Sequence, residues 1–316
     1  MKDSAVLLID CPDRKGLVAQ VSGLLYERGA NILHADQHQD HDLGLFFMRV
    51  EWALEEPAGT SSTGLSSAPR LTASEPASGK APSRTLEPAR FNLDEFKAAF
   101  APLAEELGMR WQLTSGVRRM RVALFCSQYL HCMADLLDRW RSGELECEIP
   151  LIVSNHRKVE KLAGFYGIPF EFVPVTAAAR ADAEARQLAL LSKHAIDLVV
   201  LARYMQVLSP AFVARYPVSI INVHHSFLPA FTGAKPYHAA HARGVKLIGA
   251  TSHYVTDLLD DGPIIEQDVA RISHRDQVED LVGRGRDLER IVLSRAVRWH
   301  LDRRILCYGN KTVVFD

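Results

Sequence analysis

The sequence predicts an α/β protein built from two domains of different architecture. Its 316 residues suit two domains of ordinary size better than one. The first part of the chain reads as strand, helix, strand, strand, helix and strand, whereas the part after residue 118 alternates single strands with single helices. A hydrophobic fraction of 47% and a charged fraction of 24% are typical of a globular protein.

The N-terminal domain is predicted from short apolar runs that turn residues separate. The predicted elements are a strand over residues 5–10, a helix over 17–28, strands over 31–39 and 45–52, a helix over 93–107 and a strand over 109–114. Proline, aspartate and glycine in the segment 11–16 indicate a turn after the first strand. The βαββαβ order is the ferredoxin-like arrangement, and we expect this domain to occupy residues 1–115.

Residues 53–90 differ in composition from the rest of this domain. They contain no Val, Ile, Met, Phe, Tyr or Trp, but hold five of the 15 prolines of the chain and seven serines. Such a segment cannot bury enough apolar surface to offset the entropy lost on ordering. We therefore predict a flexible insertion in a surface loop, where long insertions are tolerated.

The second domain, expected over residues 119–316, has the pattern of a Rossmann-like, mostly parallel sheet covered by helices. Strand-like runs lie at 121–126, 150–154, 170–175, 198–201 and 219–225, and helical stretches at 132–141, 157–166 and 181–194. Ligands of such sheets bind at the carboxyl ends of the strands. We therefore expect the functional residues to follow strand ends, above all the end of the strand over 219–225.

Composition restricts the class of ligand. The 37 basic and 38 acidic residues nearly cancel, which disfavours nucleic acid and anionic membranes as partners. No apolar run approaches the roughly 20 residues of a membrane-spanning helix, and the N-terminal run is too short for a secretory signal. The five cysteines are scattered without metal-ligand spacing, which favours a reducing cytoplasm and no metal. A small-molecule ligand is therefore expected.

One pair of polar residues ends the strand over 219–225. Asn222 and His224 share a face of that strand because side chains alternate, while Val223 points into packing. An amide that donates to a developing oxyanion and an imidazole that moves protons suit attack on a carbonyl group. The pattern is a common one, and a histidine that merely completes a hydrogen-bond network is the alternative. His225 is expected to face away from His224, which is poor geometry for joint metal chelation.

The residues that follow this pair resemble a known family. The pair is followed by SFLPAFTG and then, at residues 260–265, by DDGPII. This series resembles the formyltransferase-type catalytic domains that use 10-formyltetrahydrofolate, with Phe227 in place of a leucine. The resemblance implies that Asp260, rather than Asp257 or Asp261, is the catalytic aspartate.

The segment RYMQVLSP, residues 203–210, resembles the folate loop of the same family. The resemblance implies a set of substrate-binding residues, namely Met205, Gln206, Val207 and Leu208 against the pterin, with Gly233 in the second loop.

Longer stretches of the sequence resemble one particular family of this group. SQYLHCMADLLDRWRSGELECEIPLIVSNH, VEDLVGRGRDLERIVLSRAVRWH and GNKTVVF are similar to the formyltetrahydrofolate deformylase family, in which an ACT domain precedes the catalytic domain. The similarity extends over nearly the whole chain, apart from residues 53–90. A small departure is Ser252 in GATSHY, where alanine is usual.

The resemblance implies hydrolysis of 10-formyltetrahydrofolate by water to formate and tetrahydrofolate, a step that feeds one-carbon and purine metabolism. Folate is then the substrate, and no separate cofactor or metal is expected. One alternative is formyl transfer to an amine acceptor. The turn at 126–132 contains no glycine, whereas phosphate cradles depend on close approach of backbone amides, so water is favoured over a phosphorylated amine. The other alternative is a catalytically inactive amino-acid sensor, against which the intact Asn222, His224 and Asp260 argue.

The turn at 10–16 and the helix after it resemble the effector-binding region of ACT domains. The resemblance implies an amino-acid effector and assembly into a homo-oligomer, and the alternative is an assembly role without a ligand. Alternating side chains on the second strand could bind a divalent metal or form a solvated or subunit-contacting face, of which we favour the second; they are His34, Asp36, His38 and Asp40.

Overall fold

The computed structural model describes residues 4–54, 91–116, 118–230 and 236–315. The chain forms two compact units, residues 1–117 and 118–316.

The first unit is a four-stranded antiparallel sheet with two helices. Its elements are β1 (Ser4–Pro12), α1 (Leu17–Glu27), β2 (Asn31–Asp40), β3 (Leu45–Ala53), α2 (Leu93–Glu106) and β4 (Arg110–Ser115). The strand order is β2-β3-β1-β4, so the first strand lies between the third and the last. The predicted ferredoxin-like βαββαβ arrangement is confirmed.

Alternate residues of the two central strands form the core of this unit together with the helices. Leu7 and Ile9 of β1 and Trp52 of β3 pack in one cluster with Val21 of α1 and Phe100 of α2. The period of two on the strands and of about 3.6 on the helices brings these apolar positions to one layer.

The proline- and serine-rich segment begins later than predicted. Ala53 is the last residue of β3, and Leu54 is buried in the same core. The backbone N–H of Phe91 donates to the carbonyl of Leu54 at 2.9 Å, so the chain leaves and re-enters the unit at one place. The rest of the predicted flexible insertion, residues 55–90, lies outside the described residues.

The second unit is larger and follows the predicted alternation. Its elements up to the last parallel strand are β5 (Met120–Cys126), α3 (His131–Arg141), β6 (Cys147–Ser154), α4 (Glu160–Tyr166), β7 (Phe170–Phe172), α5 (Arg180–Lys193), β8 (Leu198–Leu201), α6 (Pro210–Val213) and β9 (Ile220–His224). The remaining elements are α7 (Pro236–Arg243), β10 (Leu247–Tyr254), β11 (Ile264–Arg271), α8 (Val278–Leu301), β12 (Ile305–Tyr308) and β13 (Lys311–Val314).

Seven strands of this unit form one sheet in the order β11-β10-β9-β8-β5-β6-β7. The strands from β9 to β7 are parallel, and β10 and β11 are added antiparallel at one edge. The expectation of a mostly parallel sheet is confirmed. Successive residues of β5, such as Leu124 and Phe125, belong to different apolar clusters on the two faces. Helices therefore cover both faces, as a buried parallel sheet requires.

Strand order decides where a ligand can bind. From β5 the chain first adds β6 and β7 on one side and then β8 and β9 on the other. The crevice beyond the carboxyl ends of β5 and β8 is therefore the switch point at which open α/β sheets bind ligands. Leu201 at the end of β8 pairs with Asn222 of β9, so the loop after β8 begins beside the predicted catalytic pair.

The longest helix of this unit, α8, has 24 residues and carries charged side chains along its length. Within the described ranges, no helix is both long and apolar enough to cross a membrane.

Ser252 is a buried polar residue without a visible function. Its relative exposure is 0%, it lies opposite Val223 in the sheet, and its hydroxyl has no hydrogen-bond partner among the described residues. A buried hydroxyl without a partner costs about 1–3 kcal/mol because its bonds to water are lost.

We therefore expect Ser252→Ala to raise the thermal midpoint of unfolding. A gain of about 1 kcal/mol corresponds to roughly 2–4 °C in a unit of this size, measurable by scanning calorimetry. The matched control is Ser294→Ala, because the Ser294 hydroxyl is also buried but donates to the carbonyl of Ile291 at 3.1 Å. A Ser252→Ala variant that unfolds at a lower temperature than the parent would contradict the assignment of an unpaired hydroxyl.

Candidate active site

The end of β9 brings the predicted catalytic residues together. Val223 is buried in the core, and His224 pairs with Thr251 of β10 while Asn222 pairs with His253. Asp260 comes from the loop between β10 and β11, and its Oδ2 lies 3.1 Å from Nδ1 of His224. His224 and Asp260, which are 36 positions apart in the chain, therefore share one polar cluster at the carboxyl end of β9.

The contact with Asp260 decides which nitrogen of His224 can react. A carboxylate only accepts hydrogen bonds, so Nδ1 of His224 carries the hydrogen that it donates. The other ring nitrogen, Nε2, is buried and has no hydrogen-bond partner among the described residues. Its lone pair is the group in this cluster that can take a proton, and Asp260 holds the ring in that tautomer.

Asp260 is held as an anion. Burial raises the pKa of its carboxyl, but the contacts with His224, above all the hydrogen bond from Nδ1, and with the neighbouring His253 lower that pKa by a larger amount, so that the net pKa lies well below the usual range of an aspartate. The carboxylate is therefore ionised throughout the neutral range. An anion at Nδ1 stabilises the imidazolium that forms when His224 takes up a proton.

The backbone at Asp260 is also unusual. Its φ is +55°, in the left-handed region that aspartate, asparagine and glycine tolerate better than other residues. Two positions later, a Cβ on Gly262 would lie 1.7 Å from the carbonyl oxygen of Tyr254, so only glycine fits there. Asp257 and Asp261 on the same loop are exposed. The geometry thus selects Asp260 from the three neighbouring aspartates.

His253 belongs to the site and was missed in the sequence. Its Nδ1 donates to the carbonyl of Tyr254 at 2.9 Å, so Nε2 is left as an acceptor. Nδ2 of Asn222 lies 3.2 Å from that Nε2 and donates one of its two hydrogens to it. This bond fixes the Asn222 amide and leaves its second N–H for a ligand. The residue stands in the GATSHY stretch, but only the antiparallel pairing of β10 with β9 shows that it faces Asn222.

One expectation about the neighbouring histidine is wrong. His225 lies one residue beyond β9, so strand alternation does not apply to it. Its ring centroid is 5.1 Å from that of His224, with the two rings edge to face. The rings are therefore neighbours and do not point to opposite faces.

The loop after β8 presents part of its predicted folate-binding set to solvent. Met205 is 45% and Val207 51% exposed, Gln206 is half-buried, and Leu208 is 8% exposed and packs in the core. A contact from Leu208 to a ligand would therefore use its backbone. Gly233 lies outside the described residues.

The glycine-free turn after β5 is already engaged with this loop. The backbone N–H of Ser127 donates to the carbonyl of Arg203 at 3.1 Å, and the Ser127 hydroxyl accepts from the N–H of Met205 at 3.0 Å. The same hydroxyl donates to Oδ1 of Asn155 at 2.7 Å. The guanidinium of Arg203 stacks over the ring of Tyr129. Backbone and bulky side chains thus occupy the position where a phosphate cradle would need free amides.

The alternating polar row on β2 does not form a compact ligand set. Among the residues that the structure describes, the one group of three potential ligands within 4.8 Å of each other is His131, Cys132 and Glu289. The β2 side chains face solvent on an edge strand, as a solvated or subunit-contacting face would.

Comparison with known proteins identifies the family of each domain. The formyl transferase family model matches residues 120–297, and the ACT domain model matches residues 5–51. The chain is 49% identical to the formyltetrahydrofolate deformylase of Synechocystis sp. over 312 residues, which cover 99% of this chain and 98% of that protein.

Solved structures give the same result. A crystal structure of a formyltetrahydrofolate deformylase from Pseudomonas syringae pv. tomato is 45% identical with a TM-score of 0.85, covering 99% of this chain and 94% of that one. A glycinamide ribonucleotide transformylase from Symbiobacterium toebii is 28% identical with a TM-score of 0.60, and it covers only 65% of this chain and 98% of its own. Over its whole length, with an ACT domain followed by a formyl transferase domain, this chain belongs to the formyltetrahydrofolate deformylase family.

Proposed function

We propose that this chain hydrolyses 10-formyltetrahydrofolate to formate and tetrahydrofolate, with Asn222, His224 and Asp260 as its catalytic residues. The observation that carries the proposal is the free Nε2 of His224, whose other nitrogen is bound to Asp260 at 3.1 Å, next to an Asn222 amide held by His253. Family membership over the whole chain supplies the substrate.

The proposed reaction begins with attack of water on the formyl carbon. Nε2 of His224 takes the proton of the water as its oxygen bonds to that carbon. The carbonyl electrons move to the formyl oxygen, and the free N–H of Asn222 donates to the resulting oxyanion. The His224 imidazolium then protonates N10 of the folate, and the oxyanion re-forms a carbonyl as the C–N bond breaks. Formic acid leaves and gives its remaining proton to solvent, which yields formate. Asp260 remains ionised throughout and stabilises the imidazolium.

Formyl transfer to an amine is the alternative reaction, in which a nucleophile also attacks the formyl carbon in the first step. The engaged Ser127 amide and the bulky turn after β5 favour water as the acceptor, because a phosphorylated amine needs a grip on its phosphate. The whole-length relatives reported above are deformylases, whereas the transformylase matches one part of the chain. A catalytically inactive amino-acid sensor would not need the assembled cluster at the end of β9.

We further propose that the ACT domain binds an amino-acid effector. A cavity of about 590 Å³ lies between the turn before α1 and the end of β2, and Arg14, Lys15, Gly16 and Gln39 are among its lining residues. Gly16 has a φ of +91° and immediately precedes the first residue of α1. Basic side chains and helix N–H groups favour a carboxylate, and the cavity volume suits a small molecule.

We also propose that the chain assembles into a homo-oligomer and is located in the cytoplasm. β2 is the edge strand of its sheet, and an edge strand is suited to pairing with a second copy of the chain. The five cysteines are free thiols, as is usual in the reducing cytoplasm.

The direct test of the reaction is incubation of the purified chain with 10-formyltetrahydrofolate in buffer that contains no amine acceptor, with formate measured over time. We expect formate release, and a loss of roughly 100- to 1,000-fold for Asn222→Ala, because one oxyanion donor is removed. His224→Ala and Asp260→Asn should lose at least as much. Asparagine tolerates the left-handed backbone at that position, so the backbone is kept while the charge and one acceptor oxygen are lost.

The matched control is Asp261→Asn, which changes the exposed neighbouring aspartate and should retain parental turnover. Formate release that requires an added amine would contradict hydrolysis. Near-parental turnover by Asp260→Asn would contradict the proposed role of the aspartate.

The effector proposal is tested by scanning the 20 amino acids for a change in the unfolding midpoint and in formate release. We expect at least one to raise the midpoint, since a ligand that binds only the folded state stabilises it by mass action. Lys15→Gln should weaken that response, and Lys193→Gln at the end of α5 should not. No response to any amino acid would leave assembly as the role of the domain.

A further inference from the structure

Glu289 of α8 is a buried carboxylate that the proposed reaction does not use. It is 1% exposed, and three side chains from three other parts of the fold converge on it. Its Oε1 accepts from the hydroxyl of Tyr237 at 2.8 Å, and its Oε2 lies 2.7 Å from Nε2 of His131. Nε of Arg203 lies 3.4 Å from the same Oε2 and forms an ion pair with it, without a hydrogen bond. A buried charge with this many partners connects elements that are far apart in the sequence.

The surface of α8 is shaped to admit one of these partners. A Cβ on Gly285 would lie 2.1 Å from the ring and hydroxyl of Tyr237, so the helix leaves room for that ring only because residue 285 is glycine. Glycine inside a helix costs about 1 kcal/mol relative to alanine. Residues four apart share a helix face, which places Glu289 directly above the notch at Gly285. The spacing lets the Tyr237 hydroxyl reach the carboxylate.

The Arg203 contact leads to the folate loop. Arg203 has a φ of +63°, a left-handed conformation that arginine rarely adopts, and it directly precedes Tyr204 and Met205. Its carbonyl accepts from Ser127, and its guanidinium lies between Glu289 and the ring of Tyr129. A conformation of this kind persists only when the surroundings hold it in place. Glu289 is the anionic part of those surroundings.

The Tyr237 contact leads to the catalytic histidine. The ring of Tyr237 lies edge-on to His225 with centroids 6.1 Å apart, and His225 lies edge-on to His224 at 5.1 Å. The loop at residues 205–208 and the catalytic histidine are therefore both connected, through Arg203 and Tyr237, to the carboxylate of Glu289.

The ionisation of the cluster favours an ion pair over a metal site. Burial raises the pKa of Glu289, but His131 and Arg203 lower it, and the net pKa is below the ordinary value, so the carboxylate is charged. Burial raises the pKa of Cys132 well above that of a free thiol, so this side chain is protonated and uncharged beside Glu289. The guanidinium of Arg203 already supplies the positive charge that a metal ion would bring.

We infer that Glu289 is a positioning residue of the reaction, which fixes the folate loop at residues 205–208 by holding the Arg203 guanidinium. The inference rests on the proposed function, since it assigns the loop to the folate. Removal of the charge should loosen the loop and so weaken folate binding, while Asn222, His224 and Asp260 keep their mutual contacts. The expected signature is a rise in KM with kcat largely retained.

The experiment is a double-mutant cycle on the full-length chain. Glu289→Gln and Arg203→Met should each raise KM for 10-formyltetrahydrofolate by roughly 10-fold, equivalent to about 1.4 kcal/mol. Because both act through one contact, the double variant should show a smaller rise than the product of the two. The control is Asp287→Asn, which changes an exposed α8 carboxylate and should leave KM unchanged.

Binding of tetrahydrofolate, measured by titration calorimetry, should weaken in parallel with KM. If Glu289→Gln does not fold, Arg203→Met alone gives the test, since methionine removes the cation that Glu289 holds and keeps a long side chain. Unchanged KM in the folded variants, or independent effects that multiply, would overturn the inference, as would a stoichiometric metal in the purified parent. A parent chain that releases no formate would instead contradict the proposed function.

Discussion

The candidate active site depends on the contact between Nδ1 of His224 and the carboxylate of Asp260. This contact sets the tautomer of the histidine, frees Nε2 for proton transfer and keeps the aspartate ionised. Several unusual features of the fold hold this contact in place. Asp260 adopts a left-handed backbone, Gly262 passes against the carbonyl of Tyr254, and Asn310 from the turn between β12 and β13 donates to the carbonyl of Asp261 at 2.8 Å. A loop with exposed tips is thereby held rigid where the chemistry needs precision.

The added antiparallel edge of the sheet explains how the cluster is completed. A purely parallel sheet would place only the ends of β5, β8 and β9 in the crevice, whereas β10 returns beside β9 and brings His253 opposite Asn222. Behind the cluster, the charged contacts of Glu289 and the hydroxyl of Ser127 link the loop after β8 to α8 and to the turn after β5. Polar contacts thus connect the cluster at the end of β9, the loop after β8 and the turn after β5, and the apolar core of the sheet and helices supports them.

Much of this architecture could be predicted from the sequence, because continuous apolar runs mark β1 and β5 and a helical period marks α1. Alternation correctly places Asn222 and His224 together, and the motif selects Asp260. His253 and Glu289 could not be found in this way, since each acquires its partners only through tertiary pairing of distant segments. The polar residues of β10 also hide its strand pattern, because Thr251 and His253 are buried by hydrogen bonding rather than by apolar character. The orientation of His225 was predicted wrongly because β9 ends at His224, and side-chain alternation applies only within the strand.

The tautomer of His224 is the most direct test of this account. Nitrogen-15 NMR of histidine-labelled protein under mildly alkaline conditions, with His224→Gln used to identify the resonances among the 13 histidines, reports which ring nitrogen carries the hydrogen. We expect a protonated Nδ1 and an unprotonated Nε2 in the parent. Asp260→Gly, which suits the left-handed backbone and removes the carboxylate, should abolish that preference. A parent in which Nε2 carries the hydrogen, or a preference unchanged in Asp260→Gly, would contradict it.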